Sequence, residues 1–120
     1  MSWKIDKSKP ISPQLCEQIC VKIARGEFAA GQKMSSVREV ALKSGVNPNT
    51  VQKAFEQLEQ TGLIHSVPSS GWFVSQNTKT AEQMVNSLIR VKTAVFFKEM
   101  EQLGLDCQET KKYIEEWYNE

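Results

Sequence analysis

The sequence predicts a mainly α fold carrying one small β-hairpin, and three observations predict it. Residues 36–60 read as two short capped helices, with Ala41, Gly45 and Val51 at the spacing of a helix-turn-helix. Residues 63–75 read as two short strands around a turn at Pro68–Gly71. After Thr78, apolar residues recur every three to four positions until Gly104, and a further capped helix follows. Together they describe a winged helix-turn-helix domain over 11–77 and a two-helix C-terminal dimerisation segment over 78–120. Residues 1–10 form an N-terminal arm in front of them.

Each element has a local reason. In the arm, Trp3 and Ile5 stand among lysines and can pin an extended segment to the domain. Ser12-Pro13 opens the first helix, Ser as N-cap and Pro at the first helical position. Leu15, Ile19 and Ile23 form its inward stripe, Gly26 ends it, and Gly31 turns the loop that follows. Ser36 with Glu39 makes a capping box for the second helix, whose Val37, Val40 and Ala41 face inward. Ala41 is small where two helices nearly touch, and Gly45 can take a positive φ at the turn. Asn47 caps the recognition helix 48–60, with Pro48 in its first turn. Val51, Ala54, Phe55 and Leu58 make its inner side, and Gly62 closes it. The wing, 63–75, pairs Leu63–Val67 with Trp72–Ser75. Thr78 or Thr80 begins the long helix, Thr80 with Gln83 forming another capping box. Asp106 with Glu109 caps the last one.

Size and composition narrow the function. At 120 residues the chain fits one small domain with an appendage. No apolar run approaches the ~20 residues of a membrane span, and Lys4, Asp6, Lys7 and Lys9 break any secretory signal pattern. A cytoplasmic location without membrane association is expected. Cys16, Cys20 and Cys107 are too few and oddly numbered for a disulfide framework, so all three read as small buried or half-buried side chains. His65 is the only histidine, so neither a metal site nor a nucleophile–base pair is indicated. There is no phosphate-cradling glycine loop, no cofactor is implied, and catalysis is not expected. The net charge of +1 hides an asymmetry: residues 1–78 hold nine basic and six acidic residues, residues 79–120 six and eight. The basic part can face phosphate while the acidic part stays away.

A recognition helix enters a major groove with its N-terminal residues nearest the bases, here Asn47, Asn49, Thr50, Gln52 and Lys53. Asn and Gln can pair bidentately with adenine, and the Thr methyl can touch thymine. Thr50 and Lys53 can equally hold phosphate, and Asn47 also serves as the cap. Ser36 and Arg38, at the start of the preceding helix, make a phosphate clamp; the plainer reading pairs Arg38 with Glu39. Ser69, Ser70 and Gly71 can approach the backbone or minor groove, or simply form a tight turn. Met84, Leu88, Val91, Val95, Phe96, Tyr113, Ile114 and Trp117 exceed what two helices can bury against each other, which points to a homodimer; the plainer reading packs them onto the winged domain. A two-fold pair would set recognition helices about 34 Å apart. The rival is a protein-interaction module docking through the recognition helix. That helix is polar where protein hot spots favour aromatic anchors.

Residues 11 to 74 resemble the winged helix-turn-helix of the GntR family of bacterial transcription regulators. The resemblance rests on Pro10-Ile11, Gln14, Ile19, Gly26, Gly31, Ser36, Arg38, Ala41, Gly45-Val46, Thr50-Val51, Ala54, Leu58, Gly62-Leu63-Ile64, Gly71 and Val74. The two-helix remainder and the run Asn47-Pro48-Asn49-Thr50-Val51-Gln52-Lys53-Ala54 resemble the YtrA-type subfamily. This implies a homodimeric repressor that binds an inverted-repeat operator in double-stranded DNA, often at an operon encoding an ABC transporter. Carried over by position, the DNA contacts fall on Arg38, Asn47, Asn49, Thr50, Gln52 and the wing around Ser69–Gly71. The family's usual arginine-rich wing turn is here Val67-Pro68-Ser69-Ser70, which implies a flatter salt dependence, by roughly 0.9 in slope per lost phosphate contact. A small-molecule effector would have to lodge between the dimer helices and the winged domain, near Trp72, Phe97 or Trp117.

Overall fold

Capping chemistry sets most of the element boundaries. The computed structural model describes residues 2–120, in the order α1 (Ile11–Ala24), α2 (Val37–Ser44), α3 (Pro48–Gln60), β1 (Ile64–Val67), β2 (Gly71–Val74), α4 (Lys79–Gln102) and α5 (Cys107–Tyr118). Both halves of the Ser36–Glu39 box are made, and Asp106 and Glu109 repeat the arrangement at α5. Asn47 Oδ1 accepts the Asn49 N–H at 2.8 Å, with Pro48 as the first residue of α3. Gly45 ends α2 in the left-handed conformation, φ 71°, its N–H returned to Ala41 O.

One predicted start is corrected and another is narrowed to one of its two alternatives. Helix α1 begins at Ile11 after Pro10, with no side-chain cap. Ser12 already lies inside it, and its hydroxyl donates to Gln57 Oε1 of α3 at 3.1 Å. Helix α4 begins at Lys79, whose N–H is taken by Asn77 Oδ1 at 3.0 Å. Of the two predicted starts, Thr78 holds: it immediately precedes the helix and its carbonyl accepts the Glu82 N–H at 3.2 Å, whereas Thr80 falls within the first turn. The turn of the wing also shortens, because Gly71 is the first residue of β2.

The chain divides into two compact units, one ending at Val85 and the other being Asn86–Glu120. The first holds the core. Leu15, Ile19 and Ile23 of α1 meet Val40 and Ala41 of α2, and Val51, Ala54, Phe55 and Leu58 of α3. Leu63, Ile64 and Val74 close it from the hairpin. Phe28, Met34 and Val46 join from the loops, and Ala81 from the first turn of α4, with Met84 and Val85 packed alongside. Removing a ring as central as Phe55 typically costs about 3–5 kcal/mol. Trp3 and Ile5 of the arm rest on this core. The hairpin is antiparallel, pairing Ile64 with Val74 and Val67 with Gly71. Residues 31–34, read from sequence as a plain loop, lie along β2 as a third edge. Met34 N–H donates to Trp72 O at 3.0 Å and Val74 N–H to Gln32 O at 2.9 Å.

Cysteine placement is partly corrected. Cys20 is buried and Cys16 half-buried, donating to the carbonyls of Ala81 and Ala54, and burial pushes both thiols up from their ordinary range. Cys107 is exposed, because as the first residue of α5 it has nothing packed over it.

The second unit has almost no interior. Thr110 is its one buried residue, its hydroxyl donating to Asp106 O at 2.9 Å. Trp117 is 76% exposed and Val91 60%. Phe96, Met100, Leu105, Tyr113, Ile114 and Trp117 line an open apolar groove of about 540 Å³. Among the described residues, no helix is long and apolar enough to cross a membrane.

Candidate nucleic-acid interface

The face begins with what α3 leaves unburied. Val51, Ala54, Phe55 and Leu58 all turn into the core, which forces Asn49, Lys53 and Glu56 outward, with Thr50 and Gln52 half-buried. The opening turns of α3 therefore present amides, a hydroxyl and one cation, with no carboxylate before Glu56. The N-terminus of the helix adds its own partial positive charge there. Asn47 is exposed, but its side-chain oxygen is committed to the cap. Asn49 keeps its amide uncommitted among the described residues.

Gln52 is less free than its position suggests. Its amide nitrogen donates to Glu56 Oε1, one turn further on, at 3.0 Å. Bidentate pairing with adenine uses the amide oxygen and one N–H, and Gln52 keeps its oxygen and its second N–H for that while the first is held by Glu56. Arg38, by contrast, is exposed and makes no ion pair among the described residues. Its expected neighbour Glu39 is turned to the Ser36 N–H at 3.3 Å. The ion-pair reading of Arg38 is thus replaced by a guanidinium open to solvent beside the first turn of α2. No hydrogen bond among the described residues joins Ser36 or Arg38 to α3.

The wing is tied to α3 at two points. Phe55 meets Trp72 edge to face, centroids 5.3 Å apart and planes at 85°. Glu59 Oε2 accepts from Ser66 N–H at 2.9 Å and from its hydroxyl at 3.2 Å. Trp72, considered from sequence as lining an effector site, is thus occupied in core packing. The turn itself runs from Val67 to Ser70, whose N–H returns to Val67 O at 3.0 Å. Pro68 suits its second position, and Ser69 sits at φ 65°, a conformation usually left to Gly or Asn. Ser69 and Ser70 are exposed.

Sequence reading missed the charge of this wing. Lys33 reaches it from the loop before α2: a Cβ at Gly71 would stand 3.1 Å from Lys33 Cε and 3.7 Å from its Nζ. Gly71 itself is at φ +120°. The cation that the turn lacks in sequence is supplied in space. No local sequence pattern announces it, because the strand-like pairing of residues 32–34 with β2 that carries Lys33 there is a tertiary contact.

Comparison with known proteins agrees with this geometry. The family model of bacterial regulatory proteins, gntR family, matches residues 12–74. The HTH-type transcriptional repressor YtrA of Bacillus subtilis is 33% identical over 116 residues, covering 94% of this chain and 85% of that protein. The solved structure of a GntR family transcriptional regulator from Listeria monocytogenes superposes with a TM-score of 0.82 at 35% identity, covering 93% of this chain and 98% of that one. The DNA-binding domain of AraR in complex with operator ORX1 superposes with a TM-score of 0.56 at 27% identity, covering 62% of this chain and 99% of that one. This chain belongs to the GntR family of bacterial regulatory proteins, as a transcriptional regulator with a winged helix-turn-helix DNA-binding domain.

Proposed function

We propose that the protein is a homodimeric repressor that reads an inverted repeat with two copies of α3. The observation that carries this is the opening face of α3, polar, uncharged apart from Lys53, and followed closely by a tethered wing. In the bound state Asn49 and Gln52 read base edges, Gln52 through its amide oxygen and second N–H. Thr50, Lys53, Ser36 and Arg38 hold phosphates, which sets the register of α3 without reading sequence. The wing approaches the backbone through Ser69, Ser70 and Gly71, with Lys33 as its cation. Residues 11–77 carry the DNA contacts and residues 78–120 the dimer contacts. Val91, Val95, Phe96, Tyr113, Ile114 and Trp117 meet a second copy, their exposure in the single chain supporting that assignment. Met84 packs on the winged core instead and contributes by steadying the start of α4. Similarity to the repressor YtrA over most of its length supports the negative sign of regulation.

The test is selection of bound duplexes from a random DNA pool, repeated with Arg38→Ala. The wild type should enrich an inverted repeat, and the variant should bind it more weakly with a salt slope lower by about 0.9. Absence of any enriched sequence for the wild type at low salt would sink the reading.

A further inference from the structure

The N-terminal arm lies outside the segment matched by the family model, yet its backbone is hydrogen-bonded to α1. Two glutamines of α1 do the holding. Gln18 accepts from Lys4 N–H at 3.0 Å and donates to Lys4 O at 2.6 Å. Gln14 accepts from Asp6 N–H at 2.8 Å and donates to Asp6 O at 2.9 Å. Each side-chain amide thus copies the donor and acceptor of a neighbouring strand. The spacing fits: two residues of extended chain cover about 6.6 Å and four residues of helix about 6 Å. Trp3 anchors the far end, 6.5 Å from the Phe28 ring, with Lys22 Nζ over its face at 4.8 Å.

At the near end the chain turns sharply. Lys9 N–H returns to Asp6 O at 3.2 Å, and Asp6 Oδ1 accepts from Ser8 N–H at 3.0 Å and Ser8 Oγ at 2.6 Å. Those bonds from Ser8, its hydroxyl first, hold the Asp6 carboxyl below its usual range. Lys7 is thereby left at the outside of a closed turn, exposed and without an ion-pair partner among the described residues. Its ammonium reaches the helix-turn-helix itself: a Cβ on Gly45 would stand 3.7 Å from Lys7 Nζ. Gly45 precedes the cap of α3 by two residues.

That location has a consequence for DNA. A helix is about 10–12 Å across and the major groove about 12 Å wide, so groups beside the entering end of α3 face the phosphates of the groove wall. We propose that the strapped N-terminal arm is a further phosphate-binding element, with Lys7 holding one backbone phosphate beside the entry point of α3. The inference rests on the DNA-reading assignment above and adds a contact that the helix-turn-helix and wing do not contain. Because the turn is already ordered, little conformational freedom is lost when Lys7 engages. The contact carries no sequence information.

The experiment is titration of a mixed-sequence 30-bp duplex (about three helical turns) and the selected operator across a salt series. Wild type, Lys7→Ala and Lys7→Arg are compared. Lys7→Ala should lower the salt slope by about 0.9 on both duplexes and weaken binding close to tenfold at 0.1 M salt. Lys7→Arg should keep the slope, and the enriched operator should stay the same for all three. Melting temperatures should also coincide, since Lys7 is exposed. An unchanged slope for Lys7→Ala overturns the proposal while leaving the DNA-reading assignment intact. Equal losses for Lys7→Ala and Lys7→Arg also overturn it, since charge would then be irrelevant. A wild type that binds neither duplex overturns both.

Discussion

Gly71 shows how one residue can join two parts of the site. Its φ of +120° lies where L side chains are strained, and a Cβ would stand 3.1 Å from Lys33 Cε, so that flexible stem would have to give by a few tenths of an ångström. Gly71→Ala should therefore destabilise the first unit by about 1–3 kcal/mol, seen as a thermal midpoint lower by some 5 °C or more. An unchanged midpoint would show that Lys33 and the backbone adjust freely. At the same scale, Gln52 marks the limit of sequence reading. Its residue type and position suggest a base contact. The bond to Glu56 could have been considered at i, i+4 spacing, but which rotamers meet is decided by packing around them. Glu59 was assigned no role, because its partner Ser66 lies on the wing.

Helices were most legible where a cap and an apolar period agreed. Ser36–Glu39 and Asp106–Glu109 are the same device on two helices, and both form as expected. Ser36→Ala and Asp106→Ala should each cost about 1 kcal/mol of stability. Only Ser36→Ala should also weaken binding to the selected operator, because α5 carries no assigned DNA contact. Equal effects of the two variants on binding would mean that Ser36 acts through stability alone. The misplaced start at Ser12, and the choice of Thr78 over Thr80 at α4, arise from competition. A residue able to cap does not do so when a stronger neighbour acts first, as Asn77 does, or when its hydroxyl is claimed from another helix, as Gln57 claims Ser12. Sequence order ranks such competitors poorly.

The second unit leaves an apolar surface open in the single chain, and the proposed dimer would cover it. A segment with Tyr113 at 59% and Trp117 at 76% exposure, around an open apolar groove, leaves unburied most of what its hydrophobic period was built to bury. Sedimentation equilibrium should give the mass of two chains for the wild type. Ile114→Asp should shift the protein toward one chain and lose affinity for the full inverted repeat more than for a half-site. A monomeric wild type at micromolar concentration would remove the dimer from the proposal. The arm adds a second lesson at this scale, since the fold sets Lys7 beside Gly45 and Lys33 beside Gly71, each 38 residues away in sequence.

The sequence by itself determined the class of fold, the identity of the recognition helix and its inner face, and the apolar surplus of the last two helices. These are local properties: caps, turn residues and periodicity act within a few residues of one another. Tertiary structure alone decided which polar side chains are free. It committed Asn47 to a cap and Gln52 to Glu56, released Arg38 from Glu39, and laid residues 31–34 along the wing. It also strapped the arm to α1 through Gln14 and Gln18. Such pairings depend on distances across the fold, and a side chain's reach in space is set by the packing of the elements that carry it, which local pattern does not encode.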